Sequence, residues 1–181
     1  MRKSFFVVFA AVALVGCSSY RWTSAVPKDM RTVSVPTFRN ETEVVELGAL
    51  ATRQVLREFQ REGTFRLASS GDAAIEVQGV LKSAPVQMLN YKRGQSMRAY
   101  EHRFTLNAEV SVVDRRSGKV VADNRVYSAE TTFYSDTDSL TARRDASARL
   151  AEDLGRQIVD DVVAWKWEGS EKKKGSVKKG E

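Results

Sequence analysis

From position 100 to 112 the chain reads YEHRFTLNAEVSV: Tyr100, His102, Phe104, Leu106, Ala108, Val110 and Val112 alternate with Glu101, Arg103, Thr105, Asn107, Glu109 and Ser111. A period of two is the repeat of a pleated strand and does not fit the 3.6-residue turn of a helix. Such a strand has one face for a core and one for water or a partner, so the chain needs neighbouring strands and a second layer to cover the apolar face. "DRRSG" turns the chain, and "KVVADNRVYSAETTFYS" returns as the next strand. Its apolar parity slips between Val121 and Tyr127, which predicts a bulge.

Other segments supply the rest of the sheet. "RTVSVPTF" reads as a short strand ending at Pro36, "TFRLA" as another, "SSGD" as a turn and "AAIEVQGVL" as a longer strand with Ile75 and Val77 on one face. Two segments carry helical spacing. In "EVVELGALATRQVLREFQRE", Val44, Leu47, Ala51, Val55 and Phe59 form one stripe, with Glu46, Arg53, Arg57 and Gln60 opposite. Asn40 and Glu43 are spaced as a capping box, and Gly63 is placed to end this helix. In the last helix Leu140, Ser147, Ala151, Leu154, Ile158 and Trp165 form the stripe, Leu150 and Val162 lie at its margins, and Asp136 or Asp138 is the expected cap. Glu152 stands four residues before Arg156 as a surface pair. The predicted fold class is α+β: two helices packed on one face of a single, mostly antiparallel (mixed) sheet of four to five strands.

The amino-terminal end has a different character. Arg2 and Lys3 precede eleven uncharged residues, Phe5 to Val15, the pattern of an export signal and too short for a membrane span. The segment ends in "LVGC", which resembles the lipobox of bacterial lipoprotein precursors, where cleavage precedes a cysteine whose sulfur carries lipid. Cys17 is the one cysteine of the chain, so no internal disulfide can form, and it is the expected lipid-attachment residue. In lipoprotein sorting an aspartate next to that cysteine argues for inner-membrane retention; Ser18 argues for the outer membrane. The expected organisation is a signal peptide over 1–16, a lipidated end and linker over 17–30, one α+β domain over 31–167, and a disordered lysine-rich tail over 168–181. The formal charge of +6 is largely peripheral: two cations sit in the signal, and the tail carries five lysines against three glutamates, which leaves about +2 on the body. Nucleic acid is therefore not an expected partner, and phosphorylated lipid or a membrane surface is.

Enzyme chemistry is sparse. A single histidine and a cysteine committed to lipid leave no Cys/His zinc site and no evident nucleophile with its base. His102 falls on the apolar parity of its strand, as a core or edge histidine does. Neither a Walker loop nor G-x-G-x-x-G is present. The reading is a non-enzymatic binding protein without cofactor or metal. Between the two long strands, "QMLNYKRGQSMRAYEHR" puts Tyr91, Lys92, Arg93, Gly94 and Arg98 at a hairpin tip. Lys92, Arg93 and Arg98 are candidate phosphate-pairing cations there, although cations also flank ordinary turns.

Taken together, the lipobox, "TVSVPTFRNETEVVELGALATRQVLREF", the tip "YKRGQ", "YEHRFTLNAEVSVVDRRSGKVV", "FYSDTD" and "RRDASARLAEDLGRQIVDDVVAWKW" resemble the LptE family of lipopolysaccharide-assembly lipoproteins. The resemblance implies two helices on a mostly four-stranded sheet, a lipid anchor in the inner leaflet of the outer membrane at its periplasmic face, and insertion as a plug into the LptD β-barrel. It implies assistance to barrel assembly and contact with lipopolysaccharide, the family's basic contact falling by position on Lys92 with Arg93 beside it. The tail after Trp167 has no counterpart in that pattern. The competing expectation is another periplasmic lipoprotein, one that activates a peptidoglycan synthase or builds a secretion pore.

Overall fold

The alternating segment forms the spine of the molecule. In the computed structural model, which describes residues 26–92, 98–134, 139–165 and 167, it is a 17-residue strand, Arg98–Asp114. In chain order the elements are β1 (Thr32–Ser34), β2 (Arg39–Asn40), α1 (Leu47–Glu62), β3 (Arg66–Leu67), β4 (Ile75–Ser83), β5 (Val86–Lys92), β6 (Arg98–Asp114), β7 (Val120–Tyr134) and α2 (Ser139–Ala164). A single 3-10 turn, Lys28–Met30, precedes β1.

β6 is long enough to hold two partners end to end along one edge. β4 pairs antiparallel with its second half, from Ile75 opposite Asp114 to Ser83 opposite Asn107. β5 pairs with its first half, from Val86 opposite Phe104 to Lys92 opposite Arg98. β7 lines the other edge over nearly the whole length. β1 and β2 run parallel to β4, and β3 runs parallel to β1, so the sheet is mixed. It has seven strands where four to five were expected. β3 lies in the expected "TFRLA" strand, and the two strands beyond those read from the sequence are β2 and β5. β2 is two residues long and carries no periodic signal. β5 lies in the stretch read as a tip: its register slips twice, at Met88/Asn90 and Asn90/Tyr91, and each slip breaks the alternation that sequence reasoning needs.

Both helices cover one face. Phe104, Leu106, Ala108, Val110 and Val112 of β6 are buried against Leu47, Ala51, Val55 and Phe59 of α1 and Leu150, Leu154, Ile158 and Val162 of α2. The opposite parity, from Glu101 through Ser111, is only half buried. The helices run side by side in the same direction, Gly155 meeting the backbone of Gln54 and Val55 and Arg156 reaching Glu58 at 3.7 Å. A side chain at Gly155 would come within 3.2 Å of that backbone, so a small residue sets the helix spacing.

Two local expectations are corrected. Asn40 does not cap α1. It closes β2, and its amide donates to the carbonyls of Val44 and Val45 while its oxygen accepts from Thr42, so it braces the approach and the helix starts later, at Leu47. The α2 stripe is wider than expected and starts later: Ser147, Ala151, Leu154 and Ile158 are buried as predicted, Leu150 and Val162 are fully buried with them and not marginal, and Leu140 in the first turn is 61% exposed. Gly63 ends α1 as expected, with φ of 80° and its N–H donating to the Phe59 carbonyl at 3.1 Å. The bulge is also present: pairing shifts between Val110 and Val112, and Asn124 takes a positive φ of 45° opposite it. Glu152 and Arg156 pair at 3.1 Å. Asp136 and Asp138 lie outside the described residues.

Candidate functional site

The β5–β6 hairpin places the predicted basic tip at one extreme of the sheet. Lys92 and Arg98 are register partners at its last rung, with Tyr91 opposite Ala99 one step below. Arg93 and Gly94 lie outside the described residues, as does Cys17. At about 3.3 Å per residue, β6 carries its first residue about 50 Å from its last. Tip and β6–β7 turn are therefore opposite ends of the molecule.

Below the tip the strands are stiffened by aromatic contacts. His102 stacks on Phe133 with ring centroids 5.0 Å apart, Phe133 meets Phe104 edge-on at 6.3 Å, and the Arg143 guanidinium of α2 lies over the Phe104 ring at 5.8 Å. On the far face Arg103 pairs with Glu130 at 3.0 Å. Met88 of β5 is 54% exposed beside this cluster's register, directly opposite His102. His102 is thus a packing residue of the hairpin base, in line with its parity.

A feature that the sequence did not reveal is a cleft of about 410 Å³ where the two helices begin, lined by Glu43, Val44, Val45, Glu46, Leu140, Arg143, Arg144 and Ser147. Val45 and Leu140 present apolar surface to it and two arginines supply charge. Periodicity had assigned Leu140 to the core and said nothing of Arg143. Only the parallel packing of the helices brings residues from positions 43–46 and 140–147 together.

The uncovered sheet face is charged but paired. Lys82 lies 2.7 Å from Glu41 and 4.0 Å from Glu109, and Arg39 pairs with Glu41. Its hydrogen bond with Glu41 holds the Lys82 ammonium above its usual range and the Glu41 carboxyl below its own. This is a solvated, charge-balanced surface suited to a polar partner. Among the described residues no group of three His, Cys, Asp or Glu side chains could hold a metal ion. No described helix is long and apolar enough to cross a membrane.

The fold defines a two-layer α+β domain, with a core on one face of a mixed sheet and the β5–β6 hairpin at one end of it. The family model of LptE, described as lipopolysaccharide-assembly, matches residues 30–162, nearly the whole domain. The chain belongs to that family, whose members are non-enzymatic lipoproteins. Solved structures share the fold at low identity. A Caulobacter crescentus CB15 lipoprotein is 16% identical over 76% of this chain and 92% of its own, with a TM-score of 0.53. A minor lipoprotein from Acinetobacter baumannii is 15% identical over 75% and 94%, with a TM-score of 0.50. The hypothetical protein CT253 from Chlamydia trachomatis is 15% identical over 75% and 96%, with a TM-score of 0.52. No curated protein sequence matches the chain.

Proposed function

We propose that this protein is an outer-membrane lipoprotein that binds an LptD-like β-barrel as a plug and assists the delivery of lipopolysaccharide through it. In this reading residues 1–16 are removed, Cys17 carries the lipid, residues 17–30 form the tethered link, 31–167 are the working domain and 168–181 a disordered appendage. The observation that carries the reading is the match of an LptE lipopolysaccharide-assembly family model across residues 30–162. The hairpin that ends in Lys92 and Arg98 adds to it.

The physical logic is that of a tethered ligand. A lipid anchor confines the domain near the barrel and raises its effective concentration, so the plug needs little intrinsic affinity. Lys92, Arg93 and Arg98 then face the phosphates of lipid A and compete with the divalent cations that bridge them.

Replacing Lys92 and Arg93 together by Glu exchanges two cations for two anions, and with each surface ion pair worth up to ~1 kcal/mol plus the added repulsion, lipopolysaccharide affinity should fall about tenfold or more. Circular dichroism and barrel co-purification should not change, since the tip lies beyond the helices. Unaltered lipopolysaccharide binding by the double variant rejects the tip assignment. Recovery of a synthase or of a homo-oligomeric ring from solubilised outer membranes, with no large β-barrel, rejects the plug reading.

A further inference from the structure

The helices do not cover their side of the sheet to its end. Val45 is 90% exposed, Leu140 61%, Met88 54% and Val86 39%. Single exposed apolar residues are ordinary, but these four lie along one path. Val45 and Leu140 line the cleft of about 410 Å³ at the helix starts, and so does Arg143, whose guanidinium lies 5.8 Å over the Phe104 ring. Phe104 is the register partner of Val86, and His102, two residues earlier in β6, is the partner of Met88. Register partners point to the same side of the pleat, so Val86 and Met88 extend the apolar surface from the cleft along the helix side of the hairpin.

Charge does not choose the occupant, because Glu43 and Glu46 line the cleft together with Arg143 and Arg144. Shape and spacing do. The cleft falls within the roughly 300–1,000 Å³ of small-ligand sites. From it the surface leads toward the last rung of the hairpin, Lys92 opposite Arg98. At about 3.3 Å per residue, that rung lies about 13 Å from the Met88–His102 rung and about 20 Å from the Val86–Phe104 rung. The hydrocarbon of one bilayer leaflet is ~15 Å deep, half of a core of ~30 Å. A lipid chain whose phosphate end sits at the last rung therefore passes Met88 and ends at the mouth of the cleft.

We propose that the Val45–Leu140 cleft and the helix side of the hairpin at Met88 and Val86 form a hydrocarbon-binding surface, which takes an acyl chain of the lipopolysaccharide whose phosphates meet the tip. The inference rests on the lipopolysaccharide reading for its ligand, and on the exposed apolar side chains for its place. Covering chain and side chains together removes the apolar area of both from water, and that area is the driving force. The phosphate contacts at the tip then set where the lipid enters, and the cleft sets which way its chain lies.

The test uses the mature chain with Cys17→Ser, which carries no acyl group of its own. Binding is measured for dodecyl phosphate and butyl phosphate, both below micelle formation, and for lipopolysaccharide intact and fully deacylated with its phosphates kept. Dodecyl phosphate and intact lipopolysaccharide should each bind at least about tenfold more tightly than the short or deacylated counterpart. Val45→Ser with Met88→Ser and Leu140→Ser should erase both preferences and leave affinity for deacylated lipopolysaccharide at the wild-type level. The urea midpoint should not move, because all three side chains are exposed. Val45→Ser alone, at the most exposed of them, should weaken dodecyl phosphate binding severalfold. Equal affinity of the wild type for dodecyl and butyl phosphate overturns the proposal, and so does a folded triple variant that keeps the dodecyl preference. A triple variant that loses barrel co-purification, beside a wild type that ignores alkyl length, marks the surface as a protein contact and also overturns it. A dodecyl preference that stands while Lys92→Glu with Arg93→Glu leaves lipopolysaccharide binding unaltered upholds the hydrocarbon surface and rejects the tip, so the two readings fail separately.

Discussion

Phe38 shows how much one residue can depend on another that has no side chain. Its ring lies flat over Gly79 of β4, where any Cβ would overlap three ring atoms, and its backbone N–H donates to Thr52 Oγ1 of α1 at 2.9 Å. Gly79→Ala should therefore destabilise the fold by ~1–3 kcal/mol through overpacking. Phe38→Ala should cost ~3–5 kcal/mol, and the double variant should cost less than the sum, measured by urea unfolding. The Tyr127 hydroxyl donates to Asp161 at 2.9 Å. Burial, with Asp161 adding to it, pushes the phenol well above its ordinary range. Folded protein then keeps a proton that the unfolded chain releases near pH 10, so this contribution is complete below about pH 10 and fades as the pH rises through the folded value. Tyr127→Phe should cost ~1 kcal/mol at neutral pH, and the gap from wild type should narrow above about pH 10.

At the scale of elements, the exposed edge of β7 is the liability and α2 is its remedy. Thr105 N–H donates to the Pro85 carbonyl, away from β7. The pair Thr105–Glu130 is therefore a non-hydrogen-bonded rung, and the backbone groups of Ser128, Glu130 and Thr132 face outward. Two side chains of α2 reach over to them: Arg149 Nη2 donates to the Thr132 carbonyl at 3.0 Å and Gln157 Nε2 to the Ser128 carbonyl at 3.2 Å. Carbonyls already bonded, with two long side chains laid across them, template another strand less readily. Arg149→Ala with Gln157→Ala should lose ~1 kcal/mol and acquire concentration-dependent self-association in sedimentation velocity. An unchanged monomer at high concentration would count against the guard. Nothing in the sequence marks these two residues, because a polar residue on the outer side of a helix reads as solvated until the strand beneath it is located.

For the whole molecule, the 17-residue β6 imposes a polarity. Helix starts and the hairpin tip lie toward one end, and helix ends, Val26 and Trp167 toward the other. Trp167 closes that second end. Its Nε1–H donates to the Val162 carbonyl at 3.1 Å, and its ring meets Phe65 edge-on at 5.8 Å and Trp165 at 6.2 Å. Trp167→Ala should lower stability by ~3–5 kcal/mol in thermal or urea unfolding although it touches no strand of the tip, and lipopolysaccharide binding by the folded fraction should not change.

What the sequence determined by itself was the set of strong local periods: the β6 alternation, the stripe from Leu47 to Phe59, the Gly63 stop, the bulge opposite Val110, and through them the α+β class. These follow from residue spacing on one element, which burial reads directly. Tertiary structure alone decided the pairing of β4 and β5 end to end on β6, the parallel set of helices, the cleft between their starts, the guarding of the β7 edge and the meeting of Met30 and Trp167 beside the β6–β7 turn. Each of these joins residues far apart in the chain, and no local period encodes a distance that is set only when two layers pack.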